Sequence, residues 1–415
     1  MRFPDKGTDW AALEAELKAL KSLDLDWRRG RLPAYIYFYN DELLEVQMAA
    51  YRLYAVENGL GEGKAFRSLT RMLDDLAGMA FDLFHAPDGA GMSFTSGGTE
   101  SLFEAVKTAR KFHRSKRPGG GPLNLVAPYS AHATLNKAGD ILDVEIRRVA
   151  VGAERRANVA AMAEAIDENT VMLFGSAPCF PYGVFDPIEA LGRLALERDL
   201  WLHVDGCWGG LISPFAKDLG YPIPPWDLEV PGVTTVSADL HKFAYAAKGA
   251  SLLLFRDAAL RDYETFSFGG WPRGTYATPT FLGTRPAGAI ASAWAVQRYM
   301  GREGYLAATK ATMDATMGMI AGIDAIPGLA CLKPVGEANL YAFLSEDPEV
   351  DIMAVADRLA EKGWFPGRMR EPLSIQQGVN PVHLPIVDEY VADVSEAVAK
   401  VREAGAKSRF KEGSY

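Results

Sequence analysis

Ser237-Ala238-Asp239-Leu240-His241-Lys242 is the stretch of this sequence that decides the fold. It begins at the end of the apolar run 234–237, and an earlier run of the same kind, 201–205, ends in Asp205. Both runs are typical of short buried strands that end in a polar residue. Ligands bind at the carboxyl ends of strands in open α/β sheets. The sequence therefore predicts a site that brings Asp205 and Lys242 together.

A glycine-containing turn supplies the third part of the predicted site. The block TSGGTES (95–101) follows an apolar stretch and opens a helix with one apolar face. Gly97 and Gly98 let the backbone approach a ligand closely, and the first helical turn offers free N–H groups to an anion. Each part alone also fits a helix cap, a surface lysine or an ordinary turn. Together they match pyridoxal phosphate (PLP), which needs a Schiff-base lysine and an acid against its ring nitrogen.

Six ordered blocks resemble the sphingosine-1-phosphate lyase branch of the PLP-dependent group II decarboxylases. The blocks are TSGGTES (95–101), SAHA (130–133), HVDGC (203–207), SADLHK (237–242), KGAS (248–251) and YATPT (276–280). The resemblance implies the aspartate aminotransferase fold, or fold type I of the PLP-dependent transferases. This is an α/β fold with a mostly parallel central sheet and a small C-terminal α+β domain. The alternation of apolar strands and helices from about Met92 favours the same class.

The resemblance also implies a role for individual residues. Lys242 would form the Schiff base, Asp205 would pair with the pyridine nitrogen, and His132 would stack on the ring face. The residues expected to hold the phosphate within one chain are Gly98, Thr99, Ser237 and His241. The full set expected to bind the cofactor is Gly97, Gly98, Thr99, His132, Asp205, Ser237, His241, Lys242, Gly274 and Thr275.

Two further residues are candidates for catalysis. The resemblance places Lys248 near the reacting centre and Tyr37 on an arm that reaches the substrate. The alternatives are a solvated loop lysine and aromatic packing of the arm. His203 lies on a strand expected to be buried on both faces, so we interpret it as a hydrogen-bonded core histidine.

The segment around Gly274 and Thr275 would reach the phosphate across a subunit boundary if the resemblance holds. Each active site would then be shared in a homodimer, which is also the commonest oligomer in general. A glycine-rich surface loop is the alternative.

The pattern divides the chain into an N-terminal helix and arm (1–60), a large PLP-binding domain (61–297) and a small C-terminal domain (298–415). The predicted helices and small-domain elements are Asp9–Leu23, Glu42–Val56, Arg67–Phe84, Ala287–Gln297, Leu340–Leu344, Met353–Lys362 and Val382–Pro385. The predicted strands of the sheet are Leu123–Ala127, Val144–Val149, Val171–Phe174, Trp201–Asp205, Thr234–Ser237 and Ser251–Phe255.

The amino-acid composition limits the kinds of partner and cellular compartment that we expect for this protein. The 415 residues are 48% hydrophobic and 23% charged, as in an ordinary soluble globule. A net charge of −9 argues against a nucleic-acid partner. Cys179, Cys207 and Cys331 have neither metal-ligand nor disulfide spacing, which favours a reducing compartment. We find no signal peptide and no run long enough for a membrane helix, so we expect a cytoplasmic protein without a membrane span.

One stretch departs from the pattern of the resembled lyases. After Asn58 they usually carry a proline-containing segment that helps to bind the phosphate of the substrate. This chain has GLGEGKAFR (59–67), in which Glu62 disfavours a phosphate unless Lys64 or Arg67 compensates. We therefore expect smaller or unphosphorylated β-hydroxy amines or amino acids, with ordinary phosphate binding by Lys64 or Arg67 as the alternative.

These features predict a PLP-dependent carbon–carbon lyase that acts on an amine or amino acid by retro-aldol Cα–Cβ cleavage. An amino-acid decarboxylase, or carboxy-lyase, is the second hypothesis, because the bond that breaks depends on how the substrate is held. A catalytically silent PLP-binding protein is the third. No metal is expected.

Overall fold

The computed structural model describes residues 2–119 and 121–409. Its N-terminal part contains three helices separated by irregular chain: α1 (Trp10–Lys21), α2 (Asp41–Leu53) and α3 (Arg67–Leu83). These confirm the three predicted helices to within three residues at either end. The segment 31–39, which includes Tyr37 of the predicted arm, contains no helix or strand and leads into α2 at its cap Asn40.

A seven-stranded sheet forms the centre of the molecule, with the order β1-β7-β6-β5-β4-β2-β3. Its strands are β1 (Gly91–Thr95), β2 (Leu123–Pro128), β3 (Val144–Val149), β4 (Thr170–Ser176), β5 (Trp201–Asp205), β6 (Thr235–Ala238) and β7 (Ser251–Phe255). The pairings among β2 to β6 are parallel, and β7 is antiparallel to both of its neighbours. All six predicted strands are confirmed, and their ends differ by no more than two residues.

Helices connect and cover these strands: α4 (Gly98–Lys116), α5 (Thr134–Leu142), α6 (Val159–Glu164), α7 (Ile188–Arg198), α8 (Ser213–Asp218) and α9 (Arg261–Glu264). In α4 the buried residues Leu102, Ala105, Val106 and Ala109 recur at helical spacing. They pack into a core with β2 and β7, so the apolar face of α4 fixes its N-terminus against the carboxyl end of the sheet. The fold is therefore the predicted mostly parallel α/β class.

A second, antiparallel sheet has the order β10-β11-β13-β12. It consists of β10 (Leu329–Cys331), β11 (Leu340–Ser345), β12 (Gly367–Arg370) and β13 (Leu373–Gly378), and it packs with α11 (Ile352–Glu361) and α12 (Val387–Ala404). The predicted element Val382–Pro385 lies in a 3₁₀ helix, Pro381–Ile386. Strands β12 and β13 were not predicted from the sequence.

Helix α10 (Ala287–Asp324) connects the regions of the two sheets, with a kink at Gly301, where φ is 53° and ψ is −174°. The expected boundary between residues 297 and 298 falls inside this helix, and the division into domains stays a prediction. A separate hairpin, β8 (Phe266–Trp271) and β9 (Gly274–Thr278), projects with most of its side chains exposed. Within the described ranges, no helix combines the length and apolar character that crossing a bilayer requires.

Candidate active site

A cavity of about 490 Å³ opens at the carboxyl end of the central sheet. It lies between the N-terminus of α4, the end of β5 and the turn that follows β6. The predicted site residues that line it are Tyr37, Gly97, Gly98, Thr99, His132, Asp205, His241 and Lys242. Residues from five separate parts of the chain therefore meet where the strand-end rule places a ligand.

The glycine turn forms a tight wall of this cavity. A Cβ atom on Gly98 would lie 2.7 Å from the sulfur of Cys207, and one on Gly97 would lie 3.2 Å from Cε1 of His241. Gly98 is the first residue of α4, so the free N–H groups of the first helical turn lie at the cavity. The carboxylate of Glu100 accepts a 2.7 Å hydrogen bond from the N–H of Ser96 and fixes the turn. This arrangement suits a bound phosphate.

Asp205 is held by hydrogen bonds at the end of β5. Its Oδ1 atom accepts from the N–H of Cys207 at 3.0 Å and from the hydroxyl of Ser237 at 3.3 Å. Ser237 in turn lies 3.3 Å from Nε2 of His203, whose Nδ1 lies 2.9 Å from the hydroxyl of Thr235. Burial lowers the pKa of His203 to about 4, so this histidine is neutral near pH 7.

Ser237 lies next to Asp205, and its expected contact with the cofactor phosphate stays a prediction. Its side chain is fully buried, and it is not among the described residues that line the cavity. It contacts Asp205 instead, because it lies on β6 in register with that residue on β5. His203 is a hydrogen-bonded residue of the core, as the sequence predicts.

His132 lies at the cavity on the loop between β2 and α5. Its Nδ1 atom accepts a 3.2 Å hydrogen bond from the N–H of Thr134, and burial lowers the pKa of its imidazole. Arg148 holds the same loop, since its Nη1 atom donates to the carbonyl oxygens of Ala131 at 2.8 Å and Tyr129 at 2.9 Å. These contacts therefore fix the imidazole in position at the cavity.

Lys242 forms an ion pair that the sequence analysis did not single out. Its Nζ atom lies 3.0 Å from Oδ2 of Asp239, which is buried and also lines the cavity. Burial lowers the pKa of Lys242, but the charge of Asp239 outweighs this effect and holds the pKa above its ordinary range. The signal that could have revealed Asp239 is its place three residues before Lys242 in the same block.

Lys248 and Tyr37 lie together beside the main cavity. The Nζ atom of Lys248 is 4.3 Å from the ring centre of Tyr37 and donates to the carbonyl oxygen of His241 at 3.3 Å. Both residues line a neighbouring cavity of about 200 Å³, and Tyr37 lines the main cavity as well. Partial desolvation and the charge of Lys242 lower the pKa of Lys248 to about 8, although part of its side chain is exposed.

Trp208 forms an aromatic wall that the sequence analysis also missed. Its ring centre lies 5.2 Å from that of Phe180, 5.2 Å from that of Phe243 and 5.8 Å from that of Tyr37. Nothing in the sequence marks this tryptophan, because the rings that it contacts come from distant segments. It closes the cavity on the side of the second sheet, where its indole N–H donates to Asn339.

The structure does not bring Gly274 and Thr275 to the cavity of their own chain. Both lie on the exposed hairpin, and neither is among the described residues that line the cavity. Phe281 and Leu282, which follow β9, do line it, and the N–H of Leu282 donates to Glu100 at 3.0 Å. The hairpin is thus connected to the glycine turn through its C-terminal end.

Glu62 is paired with a cation. Its Oε1 atom lies 3.5 Å from Nη2 of the buried Arg285, which also donates to the carbonyl oxygen of Gly59 at 2.9 Å. Burial raises the pKa of Glu62 and Arg285 opposes the rise. Glu62 is not among the described lining residues of the cavity, and Lys64 and Arg67 are exposed. Glu62 is thus held by Arg285 outside the cavity lining, and its expected effect on a substrate phosphate stays a prediction.

The sequence profile described as the pyridoxal-dependent decarboxylase conserved domain matches residues 68–326, which include the glycine turn, Asp205 and Lys242. The chain belongs to this family. It is a sphingosine-1-phosphate lyase-like member, and it is a PLP-dependent lyase. The tight glycine turn, the buried acid at the end of β5 and Lys242 line one cavity, and this set of groups fits the cofactor.

Relatives in this family cover most of the chain. The sphingosine-1-phosphate lyase of Oryza sativa subsp. japonica is 36% identical over 93% of this chain and 72% of its own length. That of Dictyostelium discoideum is 35% identical over 97% of this chain and 75% of its own. A solved sphingosine-1-phosphate lyase of Burkholderia pseudomallei matches with a TM-score of 0.92 at 34% identity and covers 97% of this chain and 94% of its own. A glutamate decarboxylase of Lactobacillus brevis, at 16% identity and a TM-score of 0.84, shares the fold.

Proposed function

We propose that this enzyme cleaves the Cα–Cβ bond of a β-hydroxy amine that carries a hydrocarbon chain, as in phosphorylated sphingoid bases. The observation that carries the proposal is the pair Lys248 and Tyr37, which lies directly beside the cavity that contains Lys242. The names of the relatives support the same class of substrate. The pairing of Arg285 with Glu62 offsets the negative charge of that residue, which favours a phosphorylated substrate within this proposal.

The mouth of the cavity suits a hydrocarbon chain. Ile141 and Phe281 line the cavity, yet 52% of Ile141 and 65% of Phe281 are exposed. Leu282 lies beside them. A large exposed apolar surface at a cavity marks a place where an apolar ligand binds.

The roles expected from the sequence carry over with one change. We assign Lys242 to the covalent bond with PLP, Asp205 to its ring nitrogen and His132 to its ring face. The groups assigned to its phosphate are Gly97, Gly98, Thr99 and His241. Ser237 becomes a positioning residue that orients the carboxylate of Asp205. When bound, PLP accepts the electrons of the bond that breaks at the Cα of the substrate.

Lys248 has the position and the chemistry of a general base. A lysine whose pKa is about 8 is partly neutral near pH 7 to 8 and can accept a proton. In the proposed reaction its Nζ atom takes the proton of the Cβ hydroxyl, and the Cβ carbon leaves as an aldehyde. The ring centre of Tyr37 lies 4.3 Å from Nζ and places the two side chains side by side at the cavity.

Two exposed apolar surfaces support a homodimer with shared sites. None of the residues of the described helix α1 is buried, and Trp10 is 65% exposed. The hairpin exposes Phe266, Phe268 and Trp271 next to Gly274. We propose that a second copy covers these surfaces and receives Gly274 and Thr275 at its cofactor phosphate. The three cysteines are free and buried, which supports the proposal of a cytoplasmic location.

The test is product identification with pure, PLP-loaded protein. A phosphorylated sphingoid base, its dephosphorylated form and a panel of amino acids are offered separately. Long-chain aldehyde plus ethanolamine phosphate supports the proposal. Carbon dioxide plus an amine from an amino acid would establish the decarboxylase instead, and no turnover of any compound would favour the silent protein.

A further inference from the structure

Asp239 lines the active-site cavity beneath the glycine turn. It is 2% exposed, and its Oδ2 atom lies 3.0 Å from Nζ of Lys242 and 3.6 Å from Nε2 of His241. A Cβ atom on Gly98 would lie 3.1 Å from Oδ2 and 3.2 Å from Oδ1. Oδ1 has no hydrogen-bond partner among residues 2–119 and 121–409. A buried carboxylate in this position needs cationic neighbours.

The two lysines at the site have different surroundings. Lys242 has Asp239 in direct contact. The other titratable groups close enough to interact with its charge are Tyr37, His132, Cys207, His241 and Lys248. Lys248 contacts the face of Tyr37 and a main-chain oxygen instead of a carboxylate, and the charge of Lys242 acts on it unfavourably. His132 and Asp205 line the same cavity as Lys242.

We propose that Asp239 is a positioning residue that gives the two lysines different roles in proton transfer. It holds the free amine of Lys242 as a paired ammonium, and it thereby leaves Lys248 as the group that exchanges protons with the substrate. This inference rests on the proposed function. Two groups of one chemical type acquire separate acid and base roles when their environments differ in this way.

The protons balance in this scheme. A substrate enters as an ammonium and gives up a proton when its nitrogen reacts. The amine of Lys242, released in the same exchange, takes up that proton and lies against Oδ2 of Asp239. The proton of the Cβ hydroxyl goes to Nζ of Lys248, which returns it to Cα once the Cα–Cβ bond has broken. Lys242 passes its proton to the product amine when it regains its bond with the cofactor, so the two transfers use different lysines.

The experiment measures the two amines separately. The full chain, stripped of its cofactor, is acetylated with trace acetic anhydride between about pH 6 and about pH 11, and peptides with Lys242 or Lys248 are quantified by mass spectrometry. In the wild-type protein we expect Lys248 to reach half-maximal labelling near pH 8, and Lys242 only above the ordinary value of about 10.4. A midpoint reports the charge of each amine independently of how accessible it is.

Three variants test whether the carboxylate of Asp239 sets the labelling midpoint of Lys242. Asp239→Asn should lower the labelling midpoint of Lys242 by about one pH unit or more. This shift corresponds to about tenfold faster labelling of Lys242 near pH 8. The midpoint of Lys248 should fall by less than the midpoint of Lys242. Asp239→Glu keeps the charge and should keep the midpoint high. Asp186→Asn, at another buried aspartate outside the cavity lining, should leave both midpoints unchanged.

Either of two results overturns the inference: a common midpoint for both lysines in the wild-type protein, or a Lys242 midpoint that Asp239→Asn does not move. The first needs no variant, so it decides the matter even if Asp239→Asn fails to fold. The labelling requires neither substrate nor turnover. It therefore succeeds or fails independently of the proposed cleavage of sphingoid bases.

Discussion

The indole of Trp208 donates a 3.0 Å hydrogen bond to the side-chain oxygen of Asn339. Trp208 belongs to the wall of the active-site cavity, whereas Asn339 precedes β11 of the second sheet. The amide of Asn339 donates in turn to the carbonyl oxygen of Val379 at 2.7 Å. The cavity wall is therefore connected to the second sheet by a buried polar chain, and the two parts of the structure depend on each other.

Trp208→Phe tests this connection. The change keeps an aromatic ring but leaves the fully buried oxygen of Asn339 without its donor, and an unsatisfied buried acceptor costs about 1–3 kcal/mol. We expect the free energy of unfolding in urea to fall by that amount. Leu196→Met, at a position on α7 that is 62% exposed and outside the proposed dimer surfaces, is the control and should change it little. Equal stability of the Trp208→Phe and wild-type proteins would contradict the connection.

Asp205→Asn tests the electrostatic role of the strand-end acid. The substitution preserves shape but removes the charge that would stabilise a protonated pyridine nitrogen. We expect turnover to fall by about 10²-fold or more, as for the loss of one preorganised electrostatic group. Asp82→Asn, on the exposed side of α3, is the control for the chemical change alone. Turnover within a few-fold of the wild type would mean that another group supplies this charge.

The pH dependence of turnover tests Lys248. A base must be neutral to accept a proton, and Lys248 has a pKa lowered to about 8 by partial desolvation and the charge of Lys242. Below that pH it is protonated, so kcat should rise as the pH rises through about 8 and then level off. Lys248→Arg keeps the charge but cannot give up its proton, so it should bind PLP and lose turnover. A flat profile from about pH 7 to about pH 9, or an active Lys248→Arg protein, would refute the assignment.

His383 makes the stability depend on pH. It is fully buried between the N–H of Asn380, at 2.9 Å, and the carbonyl oxygen of Leu32, at 3.1 Å, and burial lowers its pKa to about 4. Since the unfolded pKa is about 6.5, the stabilisation is complete above that value. It is lost as the pH falls from about 6.5 to about 4, at up to ~1.4 kcal/mol per pH unit. Urea titrations should show a flatter dependence for His383→Gln. An unchanged slope would be evidence against a neutral buried His383.

Periodic patterns made much of the fold predictable. The apolar runs that form β4, β5 and β7 are bounded by polar residues or glycine, which favours short buried strands. The strands β12 and β13 were missed because Arg368, Arg370 and the two glutamines 376 and 377 interrupt their apolar pattern. Their pairing with β11, rather than their own composition, makes them strands.

The site was predictable where its residues share a sequence block, and less so where they meet only through packing. Asp205, His241 and Lys242 meet as expected because strand ends converge at one edge of the sheet. Asp239 lay within the quoted block, but its contact with Lys242 depends on the turn after β6. The position of Trp208 depends on three distant rings, and the pairing of Glu62 depends on Arg285, far along the chain. Neither contact can be predicted from the spacing of these residues along the sequence.

The most direct measurement is to locate the lysine that carries the cofactor. The PLP-loaded protein is reduced with borohydride, digested, and mapped by mass spectrometry for the peptide that bears the cofactor. The account predicts that the label lies on Lys242, and that Lys242→Ala abolishes both the label and the yellow colour, whereas Lys248→Arg retains both. A label on Lys248, or a coloured Lys242→Ala protein that is still labelled, would contradict it.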